Sequence, residues 1–473
     1  MSSTAARRGH PAAWLLLLVA GQASAISLLQ AGPGVAYPHY QFSRLLSAPY
    51  IMATAVLLLQ AAAVLWGLRG AWTEGYRWLR QHAGAPALLM GAALLAVLSA
   101  AASRDPRYFA AELLLAFAVQ LSALATVLLL ARSLDDEACR RTGRRLLRVL
   151  GGEGEGATAI APDRWAWPLA MLVVVVCAFL AIVVYEGVPH VPDEIVYLLQ
   201  ARYFAAGLVQ LPAPPVPAAF DIDLMYYDAD RYFSPVPPGW PAILSLGVRL
   251  GVPLLVNPLL SGVSVLLLYA LLRRLGTQRA ARLGTLLLAS SPWFLFLGMS
   301  LMTHAATLAC TLAAALGIAE ARQRRAAWPA ALAGLAVGMV GLIRPLEGLA
   351  VALVLGVWSL TASSPIFRLL PSMALTAVTV AVSALIRPYN AALTGSAQQF
   401  PIMMYVNKYY APGANDLGFG PDRGMGWGGL DPWPGHGLRD VVLNSMLNGA
   451  ALNMELFAWA CGSLVFVVAL IVT

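Results

Sequence analysis

Charge is scarce in this chain. Asp, Glu, Lys and Arg make up 11% of its 473 residues, against about 25% in a soluble globular domain. Apolar residues fill 59% of the chain and fall in runs close to 20 residues, with a mean hydropathy of +0.71. A soluble protein is excluded, and the pattern reads as a polytopic helical membrane protein. Sustained period-2 alternation is missing too, which excludes a transmembrane β-barrel. Lysine is almost absent. Lys408 is the one lysine among 31 basic residues, a bias that fits a GC-rich bacterial genome. The net charge of +8 does not speak for nucleic acid, because the arginines cluster in short loops between apolar runs. The four cysteines, Cys139, Cys177, Cys310 and Cys461, lie in a basic loop or inside apolar runs with no metal-ligand spacing, so free thiols are expected. No P-loop, no GxGxxG in a βαβ setting and no soluble nucleotide-sugar domain is found.

What is there is a series of apolar runs. Spans are expected at about 11–30, 48–68, 85–103, 108–131, 165–185, 253–272, 282–299, 301–319, 328–343, 346–361, 367–386 and 445–473. The first reads as an uncleaved span rather than a signal peptide, because its apolar character continues past Ala25. Residues 239–251 are apolar but too short to cross, and read as a juxtamembrane helix. With the N-terminus cytoplasmic, this count puts 20 arginines inside and leaves ten with Lys408 outside. The positive-inside rule thus favours about twelve spans with both long loops on the outer face. Residues 1–131 form a four-span N-terminal module, 132–164 a cytoplasmic Arg/Gly-rich linker, and 165–473 a second membrane domain with outer loops 186–252 and 387–444. The chain stops on an apolar run without a polar tail, as a truncated sequence would.

The stretch Glu186 to Trp240 organises the rest. It opens on Glu186-Gly-Val-Pro-His-Val-Pro-Asp-Glu194, passes Asp221-Ile-Asp223 and Tyr226-Tyr-Asp-Ala-Asp-Arg231, and ends on Pro235-Val-Pro-Pro-Gly-Trp240. A carboxylate pair beside a span's end is costly to place. Asp193 and Glu194 read as the first turn of a helix entered at Pro192, where acids suit the helix dipole. A carboxylate fixed there is also placed to take a proton from an attacking hydroxyl. The second loop carries Gln398-Gln399, Asn407-Lys-Tyr-Tyr410 and Gly426-Trp-Gly-Gly-Leu-Asp-Pro-Trp-Pro-Gly-His436. Its Gly, Pro and aromatic content reads as compact and irregular rather than helical.

Pro192-Asp-Glu194 after a core span, followed by Tyr197, Ala201 and Gly207, resembles the first outer loop of the GT-C glycosyltransferase superfamily. Tyr232-Phe-Ser-Pro-Val-Pro-Pro-Gly-Trp-Pro241 is similar to the proline-rich juxtamembrane segment that follows there. The resemblance covers about 165–386 and points to protein O-mannosyltransferases and lipid A aminoarabinose transferases. It implies an all-α, GT-C-like multi-span bundle and a polyprenyl-phosphate sugar donor used on the outer face. The acceptor it implies is a lipid, glycan or protein, reached among membrane lipids in a bacterial inner membrane. In that superfamily the first acidic residue of the loop is the base, which maps to Asp193 with Glu194 beside it. Gly418–Gly424 and Asn453–Phe457 depart from both named enzymes, so the acceptor is not carried over.

A departing phosphate gathers negative charge, for which a fixed guanidinium is worth several kcal/mol in order of magnitude. Arg344, before Pro345 at a span's end, is the first candidate; Glu347 three residues on is its alternative partner. Arg387, Arg202, Arg231 and Lys408 are further phosphate candidates. Substrate contacts are assigned to His304, Asp221, Asp223, Tyr232, Tyr409, Tyr410, Trp427, Asp422 and His436. A lone histidine such as His304 is more often a hydrogen-bonded interface residue, and an interfacial aromatic is the default reading of Trp427. No cofactor is required on this reading. A divalent metal is left open, since His190 and the loop acids have no defining spacing. The rival class is a multi-span transporter or lipid flippase. It would need ionisable groups or broken helices at the midplane in two similar halves, which the sequence lacks.

Overall fold

The structure, a computed structural model, describes residues 10–32, 35–69, 84–99, 106–151, 165–361, 365–424, 435–459 and 461–465, with 73, 77, 80, 81, 163, 467 and 468 besides. It is mostly helical, as the apolar runs require. Among the described residues six helices are long and apolar enough to cross a membrane: Pro11–Leu28, Ala110–Ser133, Ala166–Val184, Pro253–Leu275, His304–Arg324 and Leu369–Thr394. A seventh passage is the pair Gln278–Ala289 and Pro292–Met299, bent by 60°. Ile51–Gly67, Ala85–Ser99, Trp328–Ile343 and Pro345–Leu360 coincide with expected spans but are shorter than the roughly 20 residues that cross a bilayer. The last expected span, 445–473, is not one helix: Leu438–Glu455 ends at Glu455 and turns follow. By length and composition the described residues hold six or seven such spans, against about twelve expected from the apolar runs.

The chain divides into two compact units, Met1–Arg145 with Ala414–Thr473, and Leu146–Gly413. The expected partition had placed the C-terminal residues with 165–413. In the first unit, Pro11–Leu28, Ile51–Gly67 and Pro106–Ser133 meet at Val64, Ala125 and Leu129. Buried amides are paired there: Gln60 donates to Thr126 Oγ1 at 3.0 Å, and Asn453 to the Leu98 carbonyl at 3.0 Å.

The second unit packs small residues. Ala314, Ile318, Ala321, Ala330, Ala333, Val337, Leu355 and Leu375 form its largest described cluster, as expected where close approach rather than hydrophobic expulsion joins helices. Prolines set its corners. Pro192, Pro292, Pro345 and Pro401 each open a helix at its first turn, and the residue before each is pushed to extended backbone. Arg344 is such a residue, with φ −144° and ψ 92° between Trp328–Ile343 and Pro345–Leu360. Two glycines hold this corner tight. A Cβ on Gly348 would lie 2.5 Å from Gly341 Cα, and one on Gly239 2.7 Å from the Leu342 carbonyl carbon.

The first loop holds the expected helix Pro192–Ala205 and the expected juxtamembrane helix, Gly239–Arg249. Between them lies a small antiparallel sheet in which Arg231–Phe233 is central, flanked by Leu211–Pro212 and Tyr226–Tyr227. The second loop departs from its reading as irregular. Its first part contains helices Ile386–Thr394 and Pro401–Tyr409. The former prolongs a span. The latter starts at a proline and buries Pro401, Tyr405 and Val406 on one face, a helical spacing hidden among polar neighbours.

Candidate active site

The span Ala166–Val184 ends in left-handed backbone at Glu186 and Gly187, φ 52° and 69°. The chain then extends through Val191 and enters the helix at Pro192. Asp193 and Glu194 are successive first-turn residues about 100° apart around the axis, so they meet different surroundings. Glu194 is wholly buried. Its Oε2 accepts the His190 N–H at 2.8 Å and its Oε1 the Leu301 N–H at 2.9 Å. Glu194 is a clamp between the loop entry and the segment 300–303.

That segment is gripped from two more elements. Trp240 Nε1 donates to the Leu301 carbonyl at 2.8 Å, and Asn257 Nδ2 to the carbonyls of Ser300 and Met302 at 2.6 and 2.8 Å. A buried non-helical segment needs its backbone groups satisfied in this way. The result is a fixed approach to Thr303 and His304, which face the Arg344 corner. Arg344 Nε donates to Glu347 Oε1 at 2.5 Å, and its Nη1 donates to Thr303 Oγ1 at 3.2 Å and to His304 Nε2 at 3.3 Å. Because Nε2 accepts, the His304 proton sits on Nδ1, which has no partner among the described residues. The Arg344–Glu347 pair is partly open to solvent, with side chains 33% and 45% exposed, so its strength is modest.

Asp193 is half-buried. Burial, and then the neighbouring Asp223 charge, push its carboxyl above the ordinary range, while its own backbone N–H and Arg344 pull the other way. Asp193 thus lies within electrostatic reach of both. Tyr197 shares the place: burial and the Asp193 charge raise its hydroxyl, opposed by Arg344. Asp223 is tied to the second loop, since Tyr405 donates its hydroxyl to Asp223 Oδ1 at 2.9 Å and accepts the Leu224 N–H at 2.9 Å. Leu224 itself is left-handed, φ 61°, strained backbone held by that bond. The cluster therefore unites Asp193, Asp223, His304 and Arg344 from the sequence-chosen residues. It adds Tyr197, Thr303, Glu347 and Tyr405.

The other candidates stand apart from it. Arg231 is occupied by Asp228 at 3.0 and 2.5 Å and by the Leu393 carbonyl at 2.8 Å. Arg202 and Arg387 are exposed. Lys408 bonds the Tyr227 carbonyl, and its Nζ lies 4.4 Å from the Tyr226 ring centre and 5.0 Å from those of Tyr227 and Tyr409, a cation–π cage. Tyr232 is buried and donates to the Phe220 carbonyl at 2.8 Å. Asp221 is exposed. Tyr409 and Tyr410 pack on Tyr405, with ring centres 4.8 and 6.1 Å away. Asp422 and His436 are exposed residues of the other compact unit, and Trp427 lies outside the described residues. The His190 ring nitrogen Nε2 lies 3.0 Å from the Tyr185 carbonyl. Among the described residues no three His, Cys, Asp or Glu side chains group as metal ligands would.

Residues 236–388 match the model of the dolichyl-phosphate-mannose-protein mannosyltransferase family. The matched segment holds Trp240, Asn257, the 300–303 segment, His304, Arg344 and Glu347; Asp193, Glu194, Asp223 and Tyr405 lie outside it. No curated protein and no solved structure matches the chain. Over that segment, about a third of its length, this multi-pass helical chain is similar to the dolichyl-phosphate-mannose-protein mannosyltransferases, a family of GT-C membrane glycosyltransferases.

Proposed function

We propose that the chain is a GT-C membrane glycosyltransferase using a polyprenyl-phosphate-linked sugar, and that the cluster around Asp193 and Arg344 transfers that sugar, on the outer face of a bacterial inner membrane, to a hydroxyl or amine of a lipid, glycan or protein. The observation that carries this reading is the half-buried Asp193 sharing reach of Asp223 and of the Arg344 guanidinium. The acceptor O–H gives its proton to an Asp193 carboxylate oxygen. The acceptor oxygen bonds the anomeric carbon as the bond from that carbon to the phosphate oxygen breaks, and polyprenyl phosphate leaves with the electron pair. Arg344 takes the charge gathering on that phosphate; its Nη2 donates to no described side chain. A raised carboxyl suits the base, since proton transfer is most effective when the base's pKa approaches the working pH. Glu194 is a positioning residue, because both its oxygens hold backbone N–H groups. In this reading the shorter apolar helices and the C-terminal run also cross, for about twelve passages with the N-terminus cytoplasmic.

The test is transfer of label from a panel of polyprenyl-phosphate sugars, a mannosyl donor first, into a membrane extract by the purified chain. Asp193→Asn is expected to lower the rate about 10²–10⁴-fold with the protein still folded. An unchanged rate would exclude Asp193 as base and move the role to Asp223. Absence of transfer from every donor by folded wild type would remove this assignment of the site.

A further inference from the structure

The helix Val256–Leu275 begins at the site, where Asn257 holds the 300–303 segment, and ends with Arg273 and Arg274 in its last turn. These two differ. Arg274 pairs with Glu320 at 2.5 Å, and Arg324 shares the same carboxylate at 2.8 Å. Arg273 is 6% exposed, and its Nη1 is fully enclosed without a hydrogen-bond partner among the described residues. Its surroundings have an acid, but that acid is spoken for. Asp163 accepts from Arg282 at 2.6 and 2.8 Å, from Gln278 at 3.1 Å, from the N–H groups of Trp165 and Ala166, and from Tyr269. Tyr269 stands within reach of both Arg273 and Arg282. Next to Gln278, Arg279 donates to the Gly151 carbonyl at 3.4 Å. Arg273 and Arg282 thus lie beside one tyrosine, Tyr269, whose acid partner Asp163 is bonded to Arg282.

A buried guanidinium without a partner is strongly disfavoured, and the usual remedy is an anion with oxygens that match its fork. Among the described residues the acids of this network, Asp163 and Glu320, are committed to Arg282 and to Arg274 with Arg324, which leaves the place to a group from outside the chain. Leu275, Gly276 and Thr277, just beyond, are exposed, so the protein surface begins within about one helical turn of Arg273. We infer that Arg273, with Arg282 beside the same tyrosine, forms a binding site for a phosphate group at the arginine-rich end of Leu146–Gly413. The group is a phosphate mono- or diester, borne by a lipid or free in solution. The inference does not depend on the transfer chemistry proposed for Asp193.

The test uses the full chain purified free of lipid in neutral detergent. Thermal unfolding is followed as phosphatidylglycerol, a diacylglycerol of the same chains, or inorganic phosphate is titrated in. Phosphatidylglycerol is expected to stabilise wild type saturably and diacylglycerol not. Arg273→Met is expected to bind phosphatidylglycerol about tenfold more weakly, as loss of one charge-assisted contact predicts. Saturable stabilisation by inorganic phosphate alone, lost in the same variant, assigns the site to free phosphate. Without any addition, Arg273→Met is expected to unfold at a higher temperature than wild type, since it removes an unpaired buried charge. A lower unfolding temperature would mean that Arg273 is paired within the chain and overturns the site. Equal binding by the variant, equal effect of diacylglycerol, or no response of wild type to either phosphate also overturns it.

Discussion

Arg344 and Arg273 mark two regions of one compact unit joined by one helix. From Asn257 to Arg273 the helix rises about 24 Å at 1.5 Å per residue, most of a bilayer's apolar thickness. At the Arg344 region the acids outnumber the bases: Asp193, Asp223 and Glu347 surround one guanidinium and one imidazole. At the Arg273 region the acid Asp163 bonds Arg282 and Tyr269, and Tyr269 lies within reach of Arg273 as well. Burial follows the same division. The Arg344 side chain keeps a third of its surface and three protein partners, whereas Arg273 keeps 6% and an unpartnered nitrogen. On the proposals made above, one region removes a proton beside a single fixed cation and the other receives an anion. The residue type is the same; the carboxylates around it decide the chemistry.

Removing the cation from the acid-rich region is the most damaging way to break this contrast after loss of the base itself. Arg344→Gln leaves three carboxylates to face a departing phosphate. Transfer is expected to fall about 10²–10³-fold, the range for one lost electrostatic stabiliser, read as label transfer at saturating donor. Restoring charge with Arg344→Lys is expected to recover only part, because an ammonium cannot reproduce the fork that spans Glu347, Thr303 and His304. Full recovery with lysine would mean that only net charge matters there.

The clamp beneath the site gives the next effect. Glu194→Gln keeps the shape but offers one acceptor where two backbone N–H groups, of His190 and Leu301, now bond. One buried N–H left unmet costs about 1–3 kcal/mol, expected as a lower unfolding temperature in detergent. The rate at a temperature where the variant is folded is expected to fall less than in Asp193→Asn. An equal fall in rate with unchanged stability would give Glu194 a role in the chemistry itself.

Much of the acid-rich region was legible in the sequence, and for one physical reason. Asp193, His304 and Arg344 are polar residues at the edges of apolar runs, where their cost demands an explanation. The partners were not legible, because they come from far along the chain. Tyr405 reaches Asp223 across 182 residues, and Glu194 reaches Leu301 across 107. The adjacent acids looked like a base and its helper; only the helix's turn shows that one is open and the other sealed. Arg231 and Asp228, three residues apart, had the spacing of a local pair and form one. The doublet Arg273-Arg274 reads as a marker of the cytoplasmic side whether its members are exposed or buried. Arg273 is buried one turn beyond Tyr269, which packs with Ala166 and Ala281, a tertiary contact that hydropathy does not report. The helices of the second loop escaped notice because glycines and polar residues masked a short apolar face.

The finest effect separates the two charges that act on Asp193. Asp223 raises its carboxyl and Arg344 lowers it, with burial the larger cause of the net rise. Asp193 must be ionised to accept a proton, so the rate climbs as pH passes upward through its pKa. Asp223→Asn removes the raising charge, and the acid limb of the rate profile is expected to move to lower pH. Arg344→Gln removes the lowering charge and moves the limb to higher pH, on top of its loss in rate. Tyr405→Phe keeps the Asp223 charge but frees its orientation, so a severalfold fall in rate is expected with a smaller displacement of the limb. Shifts of opposite sign in the two charge variants would show Asp193 titrating between them. A limb that moves the same way in both would show that another group sets the profile, since neither charge could then be acting on Asp193 directly.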